Sequence, residues 1–235
     1  MLTEVAGAPF RWAAAARRAR AFHPTGVVCA GSARFSRPAM DLVTLSGADV
    51  TIRISKGVGT PRGLPDVGGV ALRLTVTDPR TDRETLWDLL PATSSRQAVR
   101  LAIPLPAMAW TSATFSSLTP FRVGSHLWWL RAELVGDTAL TDMAPDTVRS
   151  TVDAGDRLRL VLSHARGPLG RFTPFGSVDL TAARHPDHVD FDPIRNAPGG
   201  VSMFPDWLAT LRRSSYDQSR SGRPDTAISP VPGSA

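Results

Sequence analysis

The chain has 235 residues, 42% of them hydrophobic, a single cysteine and a formal net charge of +6. That length and apolar content can bury one sizeable core, while no run approaches the ~18 consecutive apolar residues of a membrane-spanning helix. Cys29 alone cannot form an internal disulfide, which fits a reducing cytoplasm. The Ala/Arg-rich start lacks a continuous apolar stretch with a cleavage site, so no secretory signal is read. Of the 27 basic residues only Lys56 is lysine, and the arginines are scattered. Aromatic residues do not alternate with them on a shared face, so nucleic-acid binding is not expected; what remains is a weak attraction to anionic surfaces.

Taken in order, residues 10–22 (FRWAAAARRARAF) predict a helix, rich in strong formers and stopped by Pro24. Residues 27–35 predict a first strand. Residues 49–55 predict a second, with Thr51, Arg53 and Ser55 on one face and Val50, Ile52 and Ile54 on the other. A Gly/Pro-rich loop follows, then a strand ending near Leu74 and a turn over 77–83. Residues 85–92 and 97–103 read as two more strands, the pair ended by Pro104 and Pro106. The segment 108–119 is open between short helix and loop.

Over 126–135 the alternation directs Trp128, Leu130, Ala132 and Leu134 inward, with Leu127, Trp129, Arg131 and Glu133 outward. Residues 157–164 alternate cleanly, with Leu158, Leu160 and Leu162 on the core side, the pattern of an antiparallel sheet solvated on one face. Residues 176–180 complete the strands. Residues 205–216 predict an amphipathic helix striped by Trp207, Leu208 and Leu211, and 217–235 a disordered Ser/Gly/Pro-rich tail. The expectation is one mainly-β domain over 1–216. Its form is an antiparallel eight-stranded barrel, or a sandwich, flanked by N- and C-terminal helices.

An Arg and a Ser backed by an aliphatic face suit a strand that lines a pocket for an anionic or hydrogen-bonding ligand. Three motifs occur in order: His23-Pro-Thr-Gly26, Arg53-Ile-Ser55 and Asp66-Val-Gly-Gly-Val-Ala-Leu-Arg73. They resemble the His-Ala-Lys-Gly, Arg-Phe-Ser and Asp-x-Arg-Gly-Phe-Ala-x-Lys of the haem-catalase family, over about the first third of the chain. The resemblance implies a catalase-type eight-stranded barrel, without the family's helical domain and wrapping arms. It also implies haem b as cofactor and peroxide or an organic hydroperoxide as substrate. In this likeness His23 is the distal acid/base, Ser55 its orienter and Arg53 the partner of a haem propionate.

Tyr216, the single tyrosine, lies in Arg212-Arg-Ser-Ser-Tyr216, similar to the family's Arg-x-x-x-Tyr, and is the implied metal ligand. One helical turn away, Arg212 would lower the phenol pKa. The distal asparagine of the family is missing. The stretch 86–94 offers Thr93 or Ser94, and the single asparagine is Asn196.

Two other readings stay open. One is a haem-free barrel that binds a small ligand or a partner protein. The other is a metal-dependent hydrolase, a phosphodiesterase for example, built on His185, Asp187, His188, Asp190 and Asp192. The loop Lys56-Gly-Val-Gly-Thr-Pro-Arg-Gly63 has the look of a phosphate loop, but no Gly-Lys-Ser/Thr and helix start follow it. Its glycines are expected to serve tight turns. A homo-oligomer is left open.

Overall fold

The computed structural model describes residues 25–95, 100, 102–184 and 189–206. The elements in chain order are β1 (Thr25–Phe35), β2 (Thr44–Lys56), β3 (Gly68–Thr77), β4 (Glu84–Leu89), β5 (Ala92–Ser94), β6 (Thr114–Ser116), β7 (Phe121–Val123), β8 (His126–Gly136), helix α1 (Pro145–Asp153), β9 (Leu158–Arg166), β10 (Thr173–Arg184) and β11 (Val201–Met203). Every strand pairing is antiparallel. Eight strands close a ring in the order β8-β6-β5-β3-β2-β1-β10-β9 and back to β8. The expected eight-stranded barrel is therefore present; β4, β7 and β11 extend its rim.

Period-two alternation fills the inside. Ile52, Ile54, Leu72, Leu74, Phe115, Ala132 and Leu134 join Trp128, Leu130, Leu158, Leu160 and Leu162 in one buried cluster. His164 belongs to this interior. Its Nδ1 accepts the Met40 amide at 2.7 Å, and its ring lies 5.0 Å from Trp128 and 5.1 Å from Phe175. One end is closed by Trp110 and Met143, which press on Gly68. A Cβ there would meet the Met143 Cε at 2.6 Å and the Trp110 ring at 2.7 Å, so only glycine fits. Helix α1 packs on β1, β2 and β10, with Val148, Thr151 and Val152 buried.

Four details depart from the sequence reading. Arg100, Ala102 and Ile103 lie outside any strand, so the strand expected over 97–103 is not formed by these residues. The next wall of the barrel comes instead from β6, in the segment left open. Pro104 and Pro106 lack N–H donors, and Leu105 makes one bond, to the Thr93 carbonyl at 2.8 Å. The strand expected over 85–92 is cut at Pro91 into β4 and β5, both paired with β3. Helix α1 has no counterpart among the expected elements, although Pro145 and Asp146 in its first turn are start signals. Trp129 faces outward as expected, yet it is buried. The helix expected over 10–22, and that over 205–216 apart from Pro205 and Asp206, lie outside the described residues, as does the tail.

Candidate functional site

The barrel interior is filled by packed apolar side chains. Its apolar cavity, bordered by Leu72, Leu89, Leu130, Leu162 and Phe175, measures about 20 Å³, room for about one water-sized body. A ligand larger than about one water does not fit that cavity.

The outer wall has an unusual composition. Tracing backbone partners across the sheet gives Gly26, Ser55, Gly69, Ala92, Ser116, Arg131 and Ser163 in one row. Nearly all are small, and Ser55, Ser116 and Ser163 are buried although they face away from the core. One row along, Val28, Arg53 and Ala71 are neighbours on β1, β2 and β3. Arg53 and Ser55 thus share a face, as strand alternation requires. Arg53 is half-buried, and burial holds its guanidinium pKa below the ordinary value. Ser55 is 3% exposed. At Gly26 a Cβ would lie 2.9 Å from the Ser55 Cβ and 3.3 Å from an Arg53 guanidinium nitrogen, so glycine lets β1 approach both. The result is a low strip of Gly, Ala and Val bordered by one desolvated cation. His23, Arg212 and Tyr216 lie outside the described residues; β1 starts two residues after His23, with Thr25 opposite Lys56 and Gly26 opposite Ser55.

The next row holds a polar cluster that the sequence reading missed. Arg73 stands directly opposite Asp88 and grips it with two bonds of 2.8 and 2.7 Å. Asp88, fully buried, also accepts the Asp192 amide at 2.7 Å and the Asn196 side-chain amide at 2.8 Å. Its own amide donates to the Asn196 carbonyl. The Arg73 guanidinium completes the clasp by donating to the Asp190 carbonyl at 2.6 Å and stacking on Phe191 at 5.2 Å. The single asparagine thus fastens the returning segment 189–196 to the outer wall. The signal for this was available, because a six-residue turn over 78–83 sets the hairpin register that pairs Arg73 with Asp88.

The third motif folds on itself. Asp66, 1% exposed, accepts the amides of Val58, Gly59 and Thr60 at 2.9, 2.9 and 2.7 Å and the Thr60 hydroxyl at 2.9 Å, with Lys56 Nζ at 3.6 Å. Burial opposes the charge of this carboxylate. The backbone and hydroxyl donors, with Lys56, outweigh that and hold its pKa below the usual range. The loop is therefore an anion nest, as its glycines hint, and its anion is its own aspartate.

The metal cluster finds no support in its described members. Asp190 is exposed, whereas the Asp192 carboxylate accepts the amides of Ile194 and Arg195 at 3.1 Å each, an Asx turn. His185, Asp187 and His188 lie outside the described residues. Among the described residues no group of three or more His, Cys, Asp and Glu is placed to hold a metal. Of the two proposed substitutes for the distal asparagine, Thr93 is an interior side chain that accepts the Gly68 amide at 3.0 Å, and Ser94 lies on the outer face.

No family model matches the chain, and no curated protein is similar to it. Solved structures are similar in shape. Catalase A from Saccharomyces cerevisiae superposes with a TM-score of 0.62 at 12% identity, over 95% of this chain and 65% of that one. A fungal catalase superposes with a TM-score of 0.61 at 11% identity, over 95% and 64%. The chain spans about two thirds of the length of these catalases. At such identity the likeness shows the fold: a catalase-type barrel.

Proposed function

We propose that this catalase-type barrel binds haem b on the outer wall of β1–β3 and acts as an oxidoreductase on peroxide or an organic hydroperoxide. The observation that carries the reading is the strip of Gly26, Val28, Gly69 and Ala71 beside the desolvated Arg53. A flat, largely apolar group with carboxylates at its margin suits such a surface. Small side chains leave room for its face, and a guanidinium in low dielectric forms strong bonds with a carboxylate. Its iron would supply the two-electron chemistry of O–O cleavage.

The chain's own residues have defined tasks in this proposal. Arg53 pairs with a propionate. His23 holds and moves a proton between the two peroxide oxygens, a role that needs a group titrating near neutrality. Ser55, at the strand end nearest His23 in sequence, orients that imidazole. Tyr216 would hold the iron, with Arg212 favouring its phenolate form. Without a distal asparagine, peroxide is held less firmly, which favours peroxidase-like turnover over fast dismutation. A cytoplasmic setting belongs to the same proposal.

The test is the absorption spectrum of full-length protein expressed with a haem precursor. A Soret band that shifts or disappears in Tyr216→Phe, with folding intact, is the expected result. Folded protein without a Soret band would move the assignment to a haem-free binding module on the same strip, whose ligand is then the anion paired with Arg53.

A further inference from the structure

A second site stands on the opposite stretch of the outer wall. Three N–H donors there are buried without an acceptor among the described residues: Nε of Arg100, Nε of Arg131 and Nε1 of Trp129. Trp129 is 7% exposed. Ser94 Oγ, on the same outer face, is also buried and unpaired. These groups come from separate parts of the chain. Trp129 and Arg131 are alternate residues of β8, Ser94 is in β5, and Arg100 follows it.

The two arginines meet at one ring. The Arg100 and Arg131 guanidiniums lie 4.9 and 4.8 Å from the centroid of Phe172, and Arg100 is also 5.8 Å from Trp129. Arg100 Nη2 donates to the Gly170 carbonyl, which fixes the head of that side chain against the β9–β10 loop. Arg131 is paired with Glu133 at 3.3 Å. Two cations therefore share one aromatic stack with one carboxylate, and burial lowers the Arg100 pKa from its ordinary value.

The chemistry selects the ligand. Buried donors without acceptors are costly and uncommon in folded proteins. An apolar ligand would leave all three unpaired, and a cation would add to the charge. Water would accept the hydrogen bonds and leave the surplus positive charge in place. A group with several acceptor lone pairs and a negative charge satisfies both needs, and guanidinium forks match it in shape.

We propose that Arg100, Arg131 and Trp129 form a binding site for a small oxyanion, a phosphate or carboxylate group. It is distinct from the Arg53 strip: Ser55 and Arg131 are separated by β3, β5 and β6 along the row of backbone partners. It stands whether or not the haem assignment does.

The test is a fluorescence and thermal-shift titration of full-length protein with inorganic phosphate and, in parallel, with acetate, each against chloride at equal ionic strength. Saturable binding of one or both probes is expected, with a change in tryptophan emission and a rise in Tm. A response to phosphate alone identifies a phosphate site, and to acetate alone a carboxylate site. Arg100→Gln and Arg131→Gln should each weaken binding about tenfold or more, and Arg131→Lys should fall between, keeping the charge without the fork. Trp129→Phe, which removes one uncharged donor, should weaken binding less than either arginine change and lose the emission change. Should the arginine variants fail to fold, the wild type and Trp129→Phe decide the matter alone. A wild type no more responsive to either probe than to chloride overturns the proposal. So does an emission change that survives in Trp129→Phe, or equal binding by folded wild type and Arg131→Gln.

Discussion

The inner and outer walls of the barrel obey different rules. Inside, Leu158, Leu160 and Leu162 on β9 and Trp128 and Leu130 on β8 are apolar groups packed for burial, and alternation alone places them. Outside, Ser55, Asp88, Ser116 and Ser163 are just as inaccessible to water, yet each is polar. Apolar burial tolerates many partners of roughly suitable size. A buried polar group needs a partner at a particular place. The inner wall therefore holds the fold and the outer wall holds specific contacts, including both proposed sites.

The sharpest way to break this contrast is to remove a polar anchor and an apolar one and compare. Asp88→Ala strands the Arg73 guanidinium and releases the Asp192 amide and Asn196, so it should cost about 3–5 kcal/mol in urea denaturation. Asp88→Ala within 1 kcal/mol of wild type would mean the outer cluster is decoration. Leu160→Ala, inside, should cost ~2–5 kcal/mol through lost transfer energy and a residual cavity. A double change at Asp88 and Asn196 should cost less than the sum of the single changes, because they share a partner.

A smaller effect is expected at the glycine loop. Asp66→Asn removes the charge that three amides and the Thr60 hydroxyl surround, and should cost ~1–3 kcal/mol. Because the folded pKa of Asp66 is depressed, its contribution is present above the ordinary carboxylate range and is lost as pH falls through the folded pKa. Proteolytic cutting within 57–66 should therefore rise in acid for the wild type and be high at all pH values for Asp66→Asn.

The smallest effect belongs to His164. Burial is the main reason its pKa lies below 6.5, with Arg37 adding to the shift and Asp41 opposing it. Nδ1 must stay unprotonated to accept the Met40 amide. The stability it contributes is present above pH ~6.5 and is lost as pH falls towards the folded pKa, with a slope of at most ~1.4 kcal/mol per pH unit. Denaturation midpoints measured at pH 7.5 and pH 5.5 should differ more in wild type than in His164→Gln, with ~1 unit of pH on either side of the ordinary histidine value.

The difference between the walls also explains what could be read from the chain. Leu158, Leu160 and Leu162 carry their position in their spacing, and Arg53 and Ser55 fall on one face for the same reason. Trp129 has the outward parity of an exposed residue, and nothing local tells that Arg100, far away in sequence, would lie over it. Residues 97–103 look like a strand because their hydrophobic content does, whereas the barrel needed the Thr114–Ser116 segment to reach β8. Asp88 could have been matched to Arg73 from the hairpin, but not to Asn196, 108 residues later. Local periodicity encodes the apolar wall; the polar one is assembled by chain closure.

The most direct test of the central claim, that the outer strip and not the barrel interior receives the cofactor, is a haemin titration followed at the Soret band. It compares wild type, Arg53→Gln and Ala71→Phe, with circular dichroism as the control for folding. Saturable binding by wild type, weakened about tenfold or more by loss of the Arg53 charge-assisted bond and blocked by a phenyl ring on the strip, is the predicted result. Equal haemin binding by all three folded proteins would contradict it.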